Sequence, residues 1–171
     1  MKKYEFTGET KEIRLLFRTA TLHRIRATVA FGIVEVGDLG GWIEKEENLS
    51  HEGKAWVWGN AEVCGDAEVC GDAKVWGNAE VCGDAKVFSA SHVLVIGAIG
   101  SRNDFTTFYR DKDNEITVKC GCFLGKIDRF LEKVTQTHGD SKYALVYRAA
   151  VEVAKLQIDL SGEAPKDADE E

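Results

Sequence analysis

The densest run of hydrogen-bonding side chains in the chain is residues 97–108, GAIGSRNDFTTF. Gly97 and Gly100 allow backbone N–H groups to approach an anion, and Arg102 carries a planar fork that matches phosphate or carboxylate. Ser101, Asp104, Thr106 and Thr107 add donors and acceptors around it, and with Arg102 they form the candidate ligand site. The competing reading is a structural corner in which Arg102 and Asp104 bond the turn itself.

Two other groups of residues invite chemistry. Cys120-Gly121-Cys122 places two thiols on one side of a strand. A structural zinc site takes about four ligands, usually as two such pairs. No second pair exists and His138 would serve only if the fold brought it close, so no metal is expected. The histidines, His23, His51, His92 and His138, are scattered, and no GxSxG, Walker A, dinucleotide-binding or HExxH pattern is present. No catalytic residue and no cofactor are therefore assigned. Acyl transfer from acyl-CoA, with His92 or His51 as general base, stands as the enzymatic alternative.

The element that must position these residues is a repeat. Aligned on glycine, residues 53–88 read GKAWVW, GNAEVC, GDAEVC, GDAKVW, GNAEVC and GDAKVF. Ala and Val recur two apart in every hexad, from Ala55/Val57 to Ala85/Val87. A period of six does not hold one face of a helix but suits a short strand with a glycine corner, Val and Ala inward. A second period of 18 lies on top: GNAEVC recurs at 59–64 and 77–82, and Trp58 and Trp76 are 18 apart. Three hexads per turn predict a mainly β fold, a short left-handed parallel β-helix of three to four turns over residues 41–100. Ile43 and Leu49 extend its register upstream, and Ser91, Val93, Gly97 and Ile99 downstream.

The flanks read as caps. Residues 1–40 hold β-like segments at 4–6, 22–28 and 33–36. Residues 101–160 form an α+β module, with a hairpin (105–109 and 116–119) followed by two helices. The first helix carries Ile127, Phe130, Leu131 and Val134; the second runs from Ser141 to about Leu156, with Tyr143, Val146, Tyr147, Ala150, Val151 and Ala154 inward. Residues 161–171 form an acidic tail expected to be disordered.

The residue after each Val points outward. One column is Trp58, Trp76 and Leu94, and stacked outward tryptophans lie under something: a terminal segment, or a second subunit in a trimer. These three residues are the candidate oligomer interface. Glu62 and Glu80 stack on another face, where like charges repel unless a cation intervenes.

A formal net charge of −7 disfavours nucleic acid as a partner for the whole surface. No stretch reaches the roughly 20 apolar residues that span a bilayer. The N-terminus lacks the apolar core of a secretory signal, and five cysteines without scaffold spacing suit a reducing cytoplasm.

The block GDLGGWIEKEENLS (37–50) followed by A-x-V-x-G-[DN] repeats resembles the YdcK-like hexapeptide-repeat proteins, which are often labelled acetyltransferases. The resemblance covers roughly residues 20 to 90. The segment with IGSRNDFTTFYR, CGCF and THGD resembles C-terminal modules of phage-encoded proteins. Neither resemblance carries a catalytic residue to this chain. The functional expectation is a cytoplasmic, non-enzymatic, homo-oligomeric binding protein of phage or mobile-element origin, with a trimer favoured. Its partner would be a small phosphate-bearing, nucleotide-like anion or a host protein. A purely structural assembly module is the third alternative.

Overall fold

The computed structural model describes residues 1–161, so the tail expected to be disordered lies, from residue 162 on, outside the described residues. The chain runs β1 (Tyr4–Arg14), β2 (Thr19–Ala27), β3 (Leu39–Ile43), then six strands of two residues each: β4 (Trp56–Val57), β5 (Glu62–Val63), β6 (Glu68–Val69), β7 (Lys74–Val75), β8 (Glu80–Val81) and β9 (Lys86–Val87). Four longer strands follow, β10 (Val93–Ile99), β11 (Asp104–Arg110), β12 (Ile116–Cys120) and β13 (Phe123–Lys126), and then α1 (Ile127–His138) and α2 (Lys142–Gln157).

The expected fold class, a mainly parallel left-handed β-helix, is corrected by the sheets. They are several, small and mixed. One has the order β1-β2-β3-β5-β8, antiparallel through β3 and parallel from β3 onward. A second, β10-β11-β12-β13, is wholly antiparallel, and β4-β7 and β6-β9 are isolated parallel pairs. The reason lies in the length of the hexad. Each repeat spends four of its six residues on its corner and leaves two for a strand, so the long ladders come from the flanks.

The repeat still governs local pairing. Trp56 faces Lys74, Glu62 faces Glu80 and Glu68 faces Lys86, all at the 18-residue offset. Every Ala and Val of the six hexads is buried, in one core with Tyr4, Ile25, Trp56 and Tyr109. The hexad glycines sit at φ between 56° and 69°, a left-handed corner that side chains resist.

The 37–50 block earns its unusual composition sterically. A Cβ on Gly40 would come within 2.6 Å of Ile25 Cγ1, and one on Gly41 within 2.6 Å of the Ala61 carbonyl. The pair of glycines lets β3 sit between the hairpin and the hexads. Asn48 is buried, and its amide is fully used: Oδ1 accepts the N–H groups of Glu44 and Lys45, and Nδ2 donates to the carbonyls of Gly65 and Ala67.

The β10–β13 sheet divides the molecule. Thr107 and Tyr109 face the hexads, while Phe108 and Val118 face the helices and join Phe130, Val134, Tyr147 and Val151 in a second core. Two flank expectations are corrected. Residues 33–36 form no strand; Phe31 and Val34 close a turn with two backbone hydrogen bonds, leaving Ile33 and Val36 exposed. Tyr143 is exposed and Val146 only half-buried, because the inner face of α2 centres on Ala144, Tyr147, Val151 and Ala154. Among the described residues no helix is long and apolar enough to cross a membrane.

Candidate functional site

The five residues proposed as a ligand site do not converge on one cavity. Thr106 and Thr107 are neighbours on β11 and therefore point to opposite faces of the sheet. The Thr106 hydroxyl donates to Cys120 Sγ at 3.4 Å, and Thr107 Oγ1 accepts the N–H of Glu80 at 3.0 Å. Both are buried and engaged in tying layers together. Ser101, Arg102 and Asp104 are exposed in and beside the β10–β11 connection. Asp104 accepts the Phe105 N–H at 2.7 Å, and the Arg102 guanidinium lies against Gly121.

The Trp column is an aromatic stack with a partial cover. Trp58 and Trp76 lie parallel, centroids 4.8 Å apart and planes 7° apart. Residues 31–34 border a small cavity beside Trp58, which is half-buried, and Leu94 borders another beside Trp76. Trp76 remains 46% exposed. The stacked glutamates each have a cation: Lys11 reaches Glu62 at 2.7 Å and Lys119 reaches Glu80 at 3.2 Å.

The residues weighed for metal and acyl transfer are engaged elsewhere. His138 stacks on Tyr147, and among the described residues no group of three or more Cys, His, Asp or Glu side chains is arranged to hold a metal. His92 is buried; its Nδ1 accepts the Phe88 N–H at 3.0 Å and its Nε2 lies 3.3 Å from Arg110. Burial, reinforced by Arg110, holds the His92 pKa below the usual imidazole range. His51 accepts the Lys3 N–H at 3.1 Å and stacks on Tyr4. Neither histidine lines the cleft formed by residues 14–18, 64–66, 82–83 and 119–124.

A cleft opens where three remote segments meet. Its volume is about 650 Å³. One lip is the β1–β2 connection, residues 14–18; the other is the β12–β13 turn with Lys119, Cys122 and Leu124; the floor is made of hexad corners at Cys64-Gly65 and Cys82-Gly83. The first lip is a tight turn, with the Leu15 N–H donating to the Arg18 carbonyl at 2.8 Å. Leu16 and Phe17 occupy its two corner positions and are 67% and 93% exposed. Such corners ordinarily hold Gly, Asn, Asp or Pro.

Charge around the cleft is mostly positive. Arg18 forks onto Glu44, Nη1–Oε1 2.5 Å and Nη2–Oε2 2.9 Å, and Glu44 Oε2 also accepts the Gly65 N–H at 2.7 Å. These bonds, the Arg18 fork foremost, hold the Glu44 carboxyl below its usual range. Lys119 donates to the Gly121 carbonyl as well as pairing with Glu80. Arg14 makes no ion pair among the described residues. Among the described residues that line the cleft the one carboxylate is Asp66, which pairs with Lys45 at 3.1 Å. On the floor the thiols of Cys64 and Cys82 touch, Sγ–Sγ 2.8 Å; that contact, and then burial, raises the Cys82 pKa well above the thiol range.

This cleft was not apparent in the sequence. The signal available was Arg14-Leu15-Leu16-Phe17-Arg18, an apolar triplet between two arginines that fits neither strand alternation nor turn composition.

No protein-family profile matches the chain, and no curated protein matches it significantly.

Proposed function

We propose that this protein is a non-enzymatic binding protein whose ligand is a small organic anion with an apolar or planar body, a nucleotide-like phosphate compound being the leading case. The reading is carried by one observation: a cleft of about 650 Å³ joins the exposed Leu16, Phe17 and Leu124 to the guanidinium of Arg14, which no carboxylate among the described residues neutralises. Apolar lips take the body of such a ligand by burial. Arg14, with Arg18 and Lys119 behind it, takes the anionic head. The cytoplasm is the proposed compartment, on the odd and unspaced cysteine count.

The test is thermal unfolding with a panel of nucleoside phosphates, acyl-CoA, aliphatic carboxylates and inorganic phosphate, followed by calorimetry on any hit. A ligand present at about 100 times its Kd adds about 2.7 kcal/mol, which for a chain of this size raises Tm by several degrees. Arg14→Glu abolishes that shift and Phe17→Ser weakens it, both without lowering the Tm of the free protein, and the ligand is recovered chemically unchanged. Binding that survives Arg14→Glu, or a panel that yields no ligand, overturns the assignment of this cleft; turnover of acyl-CoA overturns the non-enzymatic reading.

A further inference from the structure

The outer face of α2 carries apolar side chains where a surface helix ordinarily carries charge. Its inner face, Ala144, Tyr147, Ala150, Val151 and Ala154, is buried against the β10–β13 sheet and α1. On the opposite side Leu145, Ala149, Val153 and Leu156 follow one another at spacings of four, four and three residues, which places them along one stripe. Leu145 is 60% exposed, Val153 48% and Leu156 88%. An amphipathic helix needs one apolar stripe, and α2 has two. The neighbouring α1 shows the ordinary pattern, with Asp128, Arg129, Glu132 and Lys133 outward.

We infer that this stripe pairs with the same stripe of a second copy of the chain, helix against helix and antiparallel, about a two-fold axis at Ala149. The charges select both the occupant and the direction. Lys142 starts the stripe and makes no ion pair among the described residues, while Glu152 borders its second half and is exposed, with Lys155 at 3.5 Å. An antiparallel arrangement centred on Ala149 brings Lys142 of one copy opposite Leu156 of the other, one helical turn from that copy's Glu152. Leu145 then meets Val153, and Ala149 meets Ala149, where a small residue lets the axes approach. A parallel pair would instead stack Lys142 on Lys142 and Glu152 on Glu152, with the helix dipoles aligned. One helix pair is a small contact, under the ~1,200 Å² that separates standard from weak interfaces, so association is concentration-dependent.

Sedimentation velocity on the full chain over a wide concentration range tests the pairing. The wild type passes from monomer to dimer, and Leu156→Glu or Leu145→Glu weakens the dimer by roughly tenfold or more. Both side chains are exposed, so an unchanged Tm confirms that the fold is kept. Lys142→Glu weakens the dimer, and adding Glu152→Lys to it restores association. A wild type that stays monomeric overturns the proposal. So does an oligomer indifferent to both leucine variants and lost in Trp76→Glu, which would place the interface on the Trp column. A chain ended at Ser161 that dimerises where the full chain does not also overturns it, because residues 162–171 would then be the occupant. Arg14→Glu leaves the dimer intact, which separates this surface from the cleft.

Discussion

Arg18 grips Glu44 with both terminal guanidinium nitrogens, and the same carboxylate accepts the backbone N–H of Gly65. One side chain on the tip of the first hairpin is thereby fastened to a corner of the hexad repeat. The turn that exposes Leu16 and Phe17 is held over the cleft floor by this fork.

Arg18→Ala therefore loosens the lip more than it destabilises the molecule. The guanidinium is largely exposed, so the loss is at most about 1 kcal/mol in urea unfolding near neutral pH. The Glu44 carboxyl lies below its usual range in the folded chain, so its contribution is complete above the unfolded value of ~4.3 and is lost as pH falls through the lower folded value. In the variant this part of the acid limb disappears. An unchanged acid limb, measured as denaturant midpoint against pH, would show that the fork is not closed in solution.

Lys3 gives a slope of opposite origin on the alkaline side. Its ammonium is buried, donates to the Ala55 carbonyl at 2.8 Å and lies over the Phe31 ring; burial, opposed by Glu52, pushes its pKa down to about 8. Between that value and the unfolded value of ~10.4 the unfolded chain binds more protons at this amine, so its contribution to stability rises with pH. The buried Cys82 thiol and Tyr4 phenol, both shifted upward, act in the opposite direction over the alkaline range. The Lys3 contribution is therefore read as a difference: from pH ~8 to ~10 the stability of the wild type relative to Lys3→Met should rise by about 1–2 kcal/mol in urea unfolding. A difference that does not change with pH would place the amine in water.

Trp76 covers one face of Trp58 while nearly half of it stays exposed. Trp76→Ala should cost about 1 kcal/mol of stacking beyond the area it uncovers, read as a lower Tm and a red shift in tryptophan emission as Trp58 is wetted. Trp76→Glu adds a test of assembly. If the column is an interface, the assembly mass falls; an unchanged, soluble oligomer counts against burial of that face.

Asp111 organises the turn between β11 and β12. Its Oδ1 accepts the N–H groups of Asp113 and Glu115, and its Oδ2 accepts Thr117 Oγ1 and Lys126 Nζ at 2.6 Å each. Burial alone would raise its carboxyl, but these donors outweigh it and hold the pKa below the usual range. Asp111→Asn turns one acceptor into a donor facing donors and should cost about 2–3 kcal/mol in urea unfolding, moderated by the partial exposure of Lys126. Faster amide exchange at residues 113–117 would accompany it. A loss under ~0.5 kcal/mol would mean that the turn does not depend on this carboxylate.

The elements legible in advance are those with a local code. Phe130 and Val134 mark the buried side of α1, and Ser141 immediately precedes α2, as their spacing and type implied. The elements misread lack such a code. Residues 7–14 alternate poorly because β1 lies at the edge of its sheet with most side chains in solvent, yet they extend that strand to Arg14. The cluster at 101–107 looked like one site because its polar residues are adjacent in sequence, but a strand sends neighbours to opposite faces, and Thr106 and Thr107 part company there.

What the amino-acid sequence determined by itself is the 18-residue pairing offset, the inward Ala and Val of each hexad and the glycine at every corner. These follow from steric and burial rules that act within a few residues. Only the tertiary structure decided that the repeat strands would be short members of several mixed sheets, and that residues 14–18, 64–66, 82–83 and 119–124 would enclose a cleft. That outcome depends on how the first hairpin docks through Gly40, Gly41 and the Arg18–Glu44 fork. No periodicity encodes such docking, because its partners lie tens of residues apart and each is chosen by shape and charge after the local elements have formed.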